Sequence, residues 1–227
     1  MDFLSFLLVE TSHPTPYLLV ALIGGYLSGS VPYGLILTKL AGAGDIRDVG
    51  SGNIGATNVL RAAGKKIAAI TLLLDALKGA VPVLAAGNVS LDYAILAGLA
   101  AFFGHLFPVW LKFKGGKGVA TALGICFAFS LPLGGIMCGL WLIVAGATQY
   151  SSAAGLAIFG FAPMIALYLT QKLEITLAIL IMSTAVWIRH RANIKRLINN
   201  TESKIDLDKK SNDAAPVEQP SEEKAAK

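Results

Sequence analysis

The amino-acid sequence predicts an all-helical integral membrane protein with about seven transmembrane helices. Of its 227 residues, 55% are hydrophobic and only 15% are charged, whereas a soluble domain carries about 25% charged residues. The stretch 93–173 contains no Asp or Glu. A soluble protein of this composition would expose apolar patches that it could not bury. The composition therefore excludes a soluble globular enzyme, a disulfide scaffold and a wholly disordered chain.

Apolar segments long enough to cross a bilayer locate the individual helices. A span needs about 20 apolar residues, and the segments that qualify are 17–40, 67–86, 93–111, 152–170 and 173–188. The segment 119–150 would form a helix of about 48 Å, which is too long for one span of ~30 Å. Because Pro132-Leu133-Gly134-Gly135 interrupts it, we divide it into two short helices. The alternative is five spanning helices with re-entrant segments.

Basic residues predict an N-terminus outside and a C-terminus in the cytoplasm. With that orientation, 17 of the 19 Lys and Arg residues fall in segments 39–66, 111–118 and after 188, as the positive-inside rule expects. A single helix over 119–150 would place the C-terminal charges outside, which supports the division. The rule also accounts for the net charge of +5 without a nucleic-acid partner.

One domain and one tail make up the predicted organisation. Residues 1–201 form a single transmembrane domain with cytoplasmic segments at 44–61, 104–121 and 189–197. Residues 202–227 are rich in Lys, Glu, Asp, Ser, Ala and Pro and are predicted to be a disordered cytoplasmic tail. Cys126 and Cys138 lie in apolar runs, and the Cys and His residues lack metal-ligand spacing. We therefore expect neither a metal site nor a cofactor.

The first cytoplasmic segment, 44–61, alternates Gly with Ser, Asn and Thr. Successive backbone N–H groups in such a turn can form an anion-binding nest. Neutral donors accompany them, namely Ser51, Asn53, Thr57 and Asn58. Arg61 adds a planar guanidinium suited to phosphate. Gly50-x-Gly52-x-x-Gly55 matches the dinucleotide fingerprint, but an apolar helix precedes it where that fingerprint needs a strand.

The second segment, 104–121, contains His105 and the glycine-rich turn Lys114-Gly115-Gly116-Lys117-Gly118. A glycine-rich turn that enters a helix binds phosphate through N–H groups and the helix dipole. Gly118 stands where a Walker A loop needs Ser or Thr, so we infer no nucleotide. The alternative is a set of interfacial lysines that anchor the helix.

The third segment, 189–197, follows the last apolar helix directly. If it is helical, His190 and Asn193 share one face. The alternative is a basic amphipathic helix on anionic lipid. Within an apolar span, Asp75 and Lys78 are three residues apart, and we expect an ion pair that faces the bundle.

Familiar catalytic motifs are missing from the sequence. There is no Gly-x-Ser-x-Gly elbow and no His followed five positions later by Asp. Phosphate-binding segments without a nucleophile suit a reaction whose electrophile is already activated. Positioning and charge neutralisation would then supply most of the rate.

Three signatures resemble those of the bacterial membrane glycerol-3-phosphate acyltransferases that use acyl phosphate as donor. They are Asp45-Ile46-Arg47 with Gly50-Ser51-Gly52-Asn53-Ile54-Gly55-Ala56-Thr57-Asn58 and Arg61, then Gly104-His105 with Lys112-Phe113-Lys114-Gly115-Gly116-Lys117-Gly118, then Arg189-His190-Arg191-Ala192-Asn193-Ile194. The resemblance covers about residues 24–202. It implies transfer of an acyl group to the 1-hydroxyl of sn-glycerol 3-phosphate, giving lysophosphatidate and phosphate without a metal.

The resemblance also implies roles for individual residues. Catalytic roles fall on Ser51, Arg61, His190 and Asn193. Substrate-binding roles fall on Asn53, Thr57, Asn58, His105, Lys114, Gly115, Gly116, Lys117 and Gly118. Two departures are Ala192, where many members have Glu, and Asn200, where many have Gly before Thr201-Glu202. The proton acceptor stays open between His190 and a substrate phosphate oxygen.

The family resemblance further implies a bacterial cytoplasmic (inner) membrane location, with the active site at the cytoplasmic face. A soluble enzyme that forms acyl phosphate is an expected partner. Two other classes remain open from the residues alone. A small transporter of a phosphorylated metabolite predicts polar groups near the bilayer midplane and an internal repeat. A non-catalytic lipid-binding scaffold would tolerate alanine at Ser51 and Arg61.

Overall fold

The computed structural model describes residues 15–205, which form helices and connecting loops without a strand in that range. Its α-helices are α1 (Thr15–Ser30), α2 (Tyr33–Leu40), α3 (Ala56–Gly87), α4 (Leu91–Leu106), α5 (Val119–Phe129), α6 (Leu131–Thr148), α7 (Ser151–Thr170), α8 (Leu173–Arg189) and α9 (Arg191–Ile198). Short 3₁₀ turns lie at Ile46–Asp48 and Val109–Leu111. The prediction of an all-helical fold is confirmed for this part of the chain.

Every apolar segment of the sequence is helical, with two differences in detail. The first, 17–40, breaks between α1 and α2 at Val31-Pro32, because proline disfavours the helical conformation of the residue before it. The division of 119–150 is confirmed, but it falls at Ser130. Pro132 lies in the first turn of α6, where its missing N–H costs nothing. Ser130 caps that helix by accepting from Leu133 N–H at 3.5 Å.

Five helices are long and apolar enough to cross a membrane, and a sixth if α8 and α9 together count as one bent span. Helix α5 has only 11 residues, about 16 Å of helix, which is shorter than the ~30 Å hydrocarbon core. The integral membrane fold is thus supported. By length and composition the described residues give five or six spans, which is nearer to the alternative of five spans than to seven, and the exact count stays a prediction. The orientation of the chain stays a prediction, and its first 14 residues lie outside the described part.

Small residues bring the helix backbones close together. A Cβ at Gly29 of α1 would overlap the carbonyl oxygen of Ala101 in α4, and a Cβ at Gly124 of α5 would overlap that of Ala76 in α3. Close packing of this kind drives helix association where lipid removes the hydrophobic force between helices. These two contacts fix α1 against α4 and α3 against α5, the helix that follows the predicted phosphate-binding turn.

Asp75 and Lys78 of α3 form the predicted ion pair inside the bundle. Lys78 Nζ lies 2.6 Å from Asp75 Oδ1, and both side chains are buried. The same Nζ donates at 2.8 Å to the carbonyl oxygen of Val31, just after the end of α1, and this oxygen also accepts from Tyr33 N–H at 3.2 Å. The pair therefore ties α3 to the break between α1 and α2, and a buried pair is costly to leave half-made.

Substitution of Gly124 by alanine should destabilise the fold, whereas the same change at Gly135 should not. A Cβ at Gly124 meets backbone, while a Cβ at Gly135 meets nothing within 4 Å. Overpacking of this kind costs about 1–3 kcal/mol. Thermal unfolding of the purified protein in detergent should give a lower midpoint for Gly124→Ala only. Equal midpoints for the two variants would contradict the close contact between α3 and α5.

Candidate active site

The first cytoplasmic segment is a loop built around the buried side chain of Asn58. Its Nδ2 donates to the carbonyl oxygens of Ile46 at 2.7 Å and Val49 at 3.0 Å. Its Oδ1 accepts from the N–H of Ser51 at 3.2 Å. Both ends of the Asn58 amide therefore hold the loop, and its predicted role in binding substrate stays a prediction. Ser51 is exposed on the loop.

The first turns of α3 carry the other polar residues of this segment. Thr57 Oγ1 lies 2.9 Å from Ser151 Oγ at the start of α7. One turn further on, Arg61 Nη2 donates to the carbonyl oxygen of Ser203 at 3.2 Å. Asn53 is half-buried in the loop before the helix. The first segment is thereby joined both to α7 and to the chain beyond α9.

The glycine-rich turn of the second segment packs directly on the end of α4. Gly115 N–H donates to Leu106 O and Gly116 N–H donates to His105 O, each at 3.1 Å. A Cβ at Gly116 would overlap the imidazole of His105. Both N–H groups already have a backbone partner, so the fold uses them to hold the turn, and the predicted substrate-binding role of Gly115 and Gly116 stays a prediction. His105 is buried beneath the turn and supports it from behind.

Arg189 holds the glycine-rich turn from its other side. Its Nη2 donates to Gly115 O at 2.7 Å and its Nε donates to Gly116 O at 3.1 Å. Sequence reasoning did not assign this residue, although it lies in the third signature. Its role is to fasten the second segment to the third. The groups of this turn that stay available to a ligand include the Lys114 and Lys117 side chains and the N–H groups in the first turn of α5, which have no partner within the helix.

His190 lies at a 55° bend between α8 and α9 and is buried. Its Nδ1 is 2.8 Å from the carbonyl oxygen of Val186. Because a carbonyl only accepts, Nδ1 carries the hydrogen and Nε2 is the basic nitrogen. Nε2 faces α7, 3.6 Å from the position that a Cβ at Gly155 would occupy. Nε2 therefore carries the lone pair of the ring. Burial and the nearby Lys117 lower the pKa of His190 to about 4, so this nitrogen is a weak base near neutral pH.

Glu202 joins α7, α9 and the chain that follows α9. Its Oε1 accepts from Asn193 Nδ2 at 2.6 Å and from Ser152 Oγ at 2.9 Å, and its Oε2 accepts from Arg196 Nε at 2.6 Å. Further on, Ile205 N–H donates to Gln149 O at 2.7 Å. Residues 202–205, where the predicted tail begins, are thus in contact with α7 and α9. The predicted disorder of the tail stays a prediction, and 206–227 lie outside the described residues.

The two departures from the family pattern leave this arrangement intact. Asn200 has φ of 56°, a left-handed conformation that Asn tolerates better than most other non-glycine residues. It can therefore turn the chain toward Glu202 as a glycine would. Ala192 is exposed in the first turn of α9, so the glutamate that many members carry there would face away from the site.

Positive charge from all three segments surrounds the Glu202 carboxylate. Burial lowers the pKa of Lys117 to about 8; the nearby Glu202 opposes this shift, while Arg196 and Arg61 add to it. Burial acts to raise the pKa of Glu202, but its hydrogen bonds from Asn193, Arg196 and Ser152 hold it below the usual value. An anion is therefore favoured where Lys117, Arg61 and Arg196 meet.

The three signatures converge at one end of the helical bundle. Arg61, Lys117, His190 and Asn193 come together there, whereas Asn58 and His105 lie behind the loops, and Lys114 is exposed. Within residues 15–205, no group of three or more His, Cys, Asp or Glu residues could hold a metal ion. Sequence reasoning missed the joining roles of Arg189, Ser151, Ser152 and Arg196, since these depend on contacts between distant segments.

Comparison with known proteins matches almost the whole described chain to one family. The glycerol-3-phosphate acyltransferase family profile matches residues 19–200. The chain is 54% identical over 188 residues to a glycerol-3-phosphate acyltransferase of Mesorhizobium japonicum, covering 83% of this chain and 96% of that protein. It is 52% identical over 190 residues to one of Sinorhizobium fredii, covering 84% and 93%.

Solved structures resemble the fold closely. Crystal structures of PlsY (YgiH), an integral membrane glycerol 3-phosphate acyltransferase, match in the glycerol 3-phosphate form with a TM-score of 0.80 and 37% identity, covering 83% of this chain and 96% of that one. The lysophosphatidic acid form matches with a TM-score of 0.76 and 34% identity, covering 84% and 96%. On these grounds the chain belongs to the glycerol-3-phosphate acyltransferase family.

Proposed function

We propose that this protein transfers an acyl group from acyl phosphate to the 1-hydroxyl of sn-glycerol 3-phosphate. The products are 1-acylglycerol 3-phosphate, which is lysophosphatidate, and inorganic phosphate. This would be the first step of phospholipid synthesis. The observation that carries the proposal is the convergence of Arg61 and Lys117, from different segments, beside His190 and Asn193.

The reaction balances without a cofactor. The oxygen of the 1-hydroxyl forms a bond to the carbonyl carbon of acyl phosphate, and the bond between that carbon and the phosphate oxygen breaks. The electron pair leaves with phosphate. The hydroxyl proton passes to His190 Nε2 or to a phosphate oxygen of the substrate. No covalent intermediate with the protein is required, which suits a site without an activated nucleophile.

Electrostatic repulsion between two phosphate groups is the main obstacle to this reaction. Acyl phosphate is already an activated electrophile, so the protein must mainly bring two anions together and neutralise their charge. Arg61 and Lys117 supply cationic groups, and the first-turn N–H groups of α5 add a positive helix end. A thioester donor would bring no phosphate at its reacting carbon and would leave part of this positive charge unused.

The protein would lie in the bacterial inner membrane with its active site at the cytoplasmic face. The distribution of Lys and Arg residues along the chain supports this orientation. The acyl chain would lie between the apolar helices, and glycerol phosphate would enter from water. Exposed cations around the site include Lys112, Lys114, Arg191 and Lys195. These residues would suit an acidic surface on a soluble enzyme that delivers acyl phosphate.

Transport of a phosphorylated metabolite is the second candidate function. It would need charged groups free to bind cargo inside the membrane. Asp75 and Lys78 are the candidates, but they are buried against each other, which favours a structural role. A lipid-binding scaffold would not need Arg61 and Lys117 to converge beside His190.

Purified protein should release phosphate from palmitoyl phosphate and form lysophosphatidate when glycerol 3-phosphate is present, and acyl-CoA should not replace the donor. Arg61→Ala and Lys117→Ala should each lower kcat/KM by roughly 10- to 150-fold, since each loses a charge-assisted contact worth about 1.5–3 kcal/mol. Lys172→Ala is the matched control because Lys172 is exposed where α8 begins, at the other end of that helix from His190. Equal turnover with acyl-CoA, or with both site variants, would contradict the proposal.

The pH dependence of kcat/KM for glycerol 3-phosphate should follow the titration of Lys117. The pKa of Lys117 is about 8, so the ammonium is charged below this pH and becomes neutral above it. We expect kcat/KM to fall as pH rises through about 8. In Lys117→Arg this fall should disappear, because arginine stays protonated. An unchanged alkaline limb in that variant would assign the titration to another group.

A further inference from the structure

The direction of the Asn193 side-chain amide is set by Glu202. Asn193 is only 2% exposed, and its Nδ2 lies 2.6 Å from Glu202 Oε1. An ionised carboxylate accepts hydrogen bonds and cannot donate them. The NH₂ group of Asn193 must therefore face Glu202, and its Oδ1 must point the other way.

Asn193 Oδ1 is the unusual atom in this arrangement. It is out of reach of solvent and has no hydrogen-bond partner within residues 15–205. Buried polar atoms almost always have a partner, so an unpaired one needs a specific explanation. As a carbonyl oxygen, it can only accept, and its natural partner is a hydroxyl or N–H group.

The surroundings of Asn193 identify the kind of partner. His190 lies one turn earlier on the same side of the chain. Glu202 is close enough to Lys117 and Arg61 to act on both electrostatically. The unpaired acceptor therefore belongs to the cluster in which the substrate phosphate is proposed to bind. In glycerol 3-phosphate, the groups next to the phosphate are two hydroxyls, and both can donate.

We propose that Glu202 is a positioning residue that turns Asn193 so that its Oδ1 accepts a hydrogen bond from a hydroxyl of glycerol 3-phosphate. Arg196 and Ser152 in turn hold the carboxylate. This inference rests on the proposed function and adds a specificity device to it. A site built to bind a hydroxyl rejects analogues that lack it, because its buried acceptor then stays unpaired.

Glu202→Gln should reverse the amide of Asn193. The introduced amide would keep its oxygen toward Arg196, because a hydrogen bond from a charged donor is the stronger one. Its NH₂ group would then face Asn193, which must rotate to accept from it. Asn193 would offer its own NH₂ group to the substrate, and kcat/KM for glycerol 3-phosphate should fall about 10- to 100-fold.

The double variant Asn193→Asp with Glu202→Gln should recover activity. The amide introduced at 202 can donate to one carboxylate oxygen at 193, which leaves the other oxygen as an acceptor for the substrate. The charge of the pair is unchanged. Asn193→Asp alone places two carboxylates in contact, where they repel each other, and should lower kcat/KM as much as Glu202→Gln does.

We expect kcat/KM of the double variant to exceed that of either single variant by at least about tenfold. The matched control is Asn199→Asp, because Asn199 is exposed after α9.

Two acceptor analogues separate substrate contact from a purely structural role. One, 3-hydroxypropyl phosphate, lacks the middle hydroxyl, and the other, 2-hydroxypropyl phosphate, lacks the terminal one. Their competition against radiolabelled glycerol 3-phosphate would be measured for wild type and Glu202→Gln. The analogue without the bound hydroxyl should compete equally well for both proteins, whereas glycerol 3-phosphate and the other analogue should bind the variant more weakly.

Equal weakening of all three ligands would overturn the inference and leave Glu202 a structural role only. So would a folded double variant that is no more active than either single variant. If Glu202→Gln does not fold, Asn193→Ser removes the amide acceptor while keeping the contacts of Glu202 with Arg196 and Ser152, and the analogue comparison is repeated there. A wild-type protein that does not use acyl phosphate would instead contradict the proposed function.

Discussion

Mutual repulsion among the cations at one end of the bundle is the constraint on which the site depends. Arg61, Lys117 and Arg196 come from three segments far apart in sequence, and Glu202 is the carboxylate among them. Like charges cannot be gathered in a partly buried place without an anion to offset them. The arrangement therefore holds together through Glu202, and the surrounding positive charge also favours a second anion, which we propose is the phosphate of a substrate.

The loops that carry these charges are fixed by backbone contacts. The side chain of Asn58 forms hydrogen bonds within the first loop. The second loop is held by hydrogen bonds to the carbonyls at the end of α4 and by the guanidinium of Arg189. The amide of Asn58 and the N–H groups of Gly115 and Gly116 are thereby used to hold the conformation of the loops. In the proposed function, the phosphate would be bound by side chains and by the start of α5, and the loops that carry these groups would already be ordered before substrate arrives.

The apolar runs predicted the helices well, because hydrophobic length alone identifies a segment that lipid will surround. The break at Ser130 depends on the side-chain cap that this residue gives to α6, which hydropathy does not register. The signatures predicted that Arg61, Lys117, His190 and Asn193 act together, and the fold brings these residues to one end of the bundle. The signatures could not reveal that Asn58 and His105 support the loops from beneath. They also could not reveal that Glu202 joins the segments, because those roles arise from contacts between distant residues.

Binding of radiolabelled glycerol 3-phosphate to Arg61→Ala, Lys117→Ala and the double variant tests the central claim most directly. If the two side chains hold one phosphate, each single change should weaken binding, and the two losses should fail to add by more than about 0.5 kcal/mol. Losses that add fully, or wild-type affinity in either single variant, would contradict a shared phosphate site made by the first and second signatures.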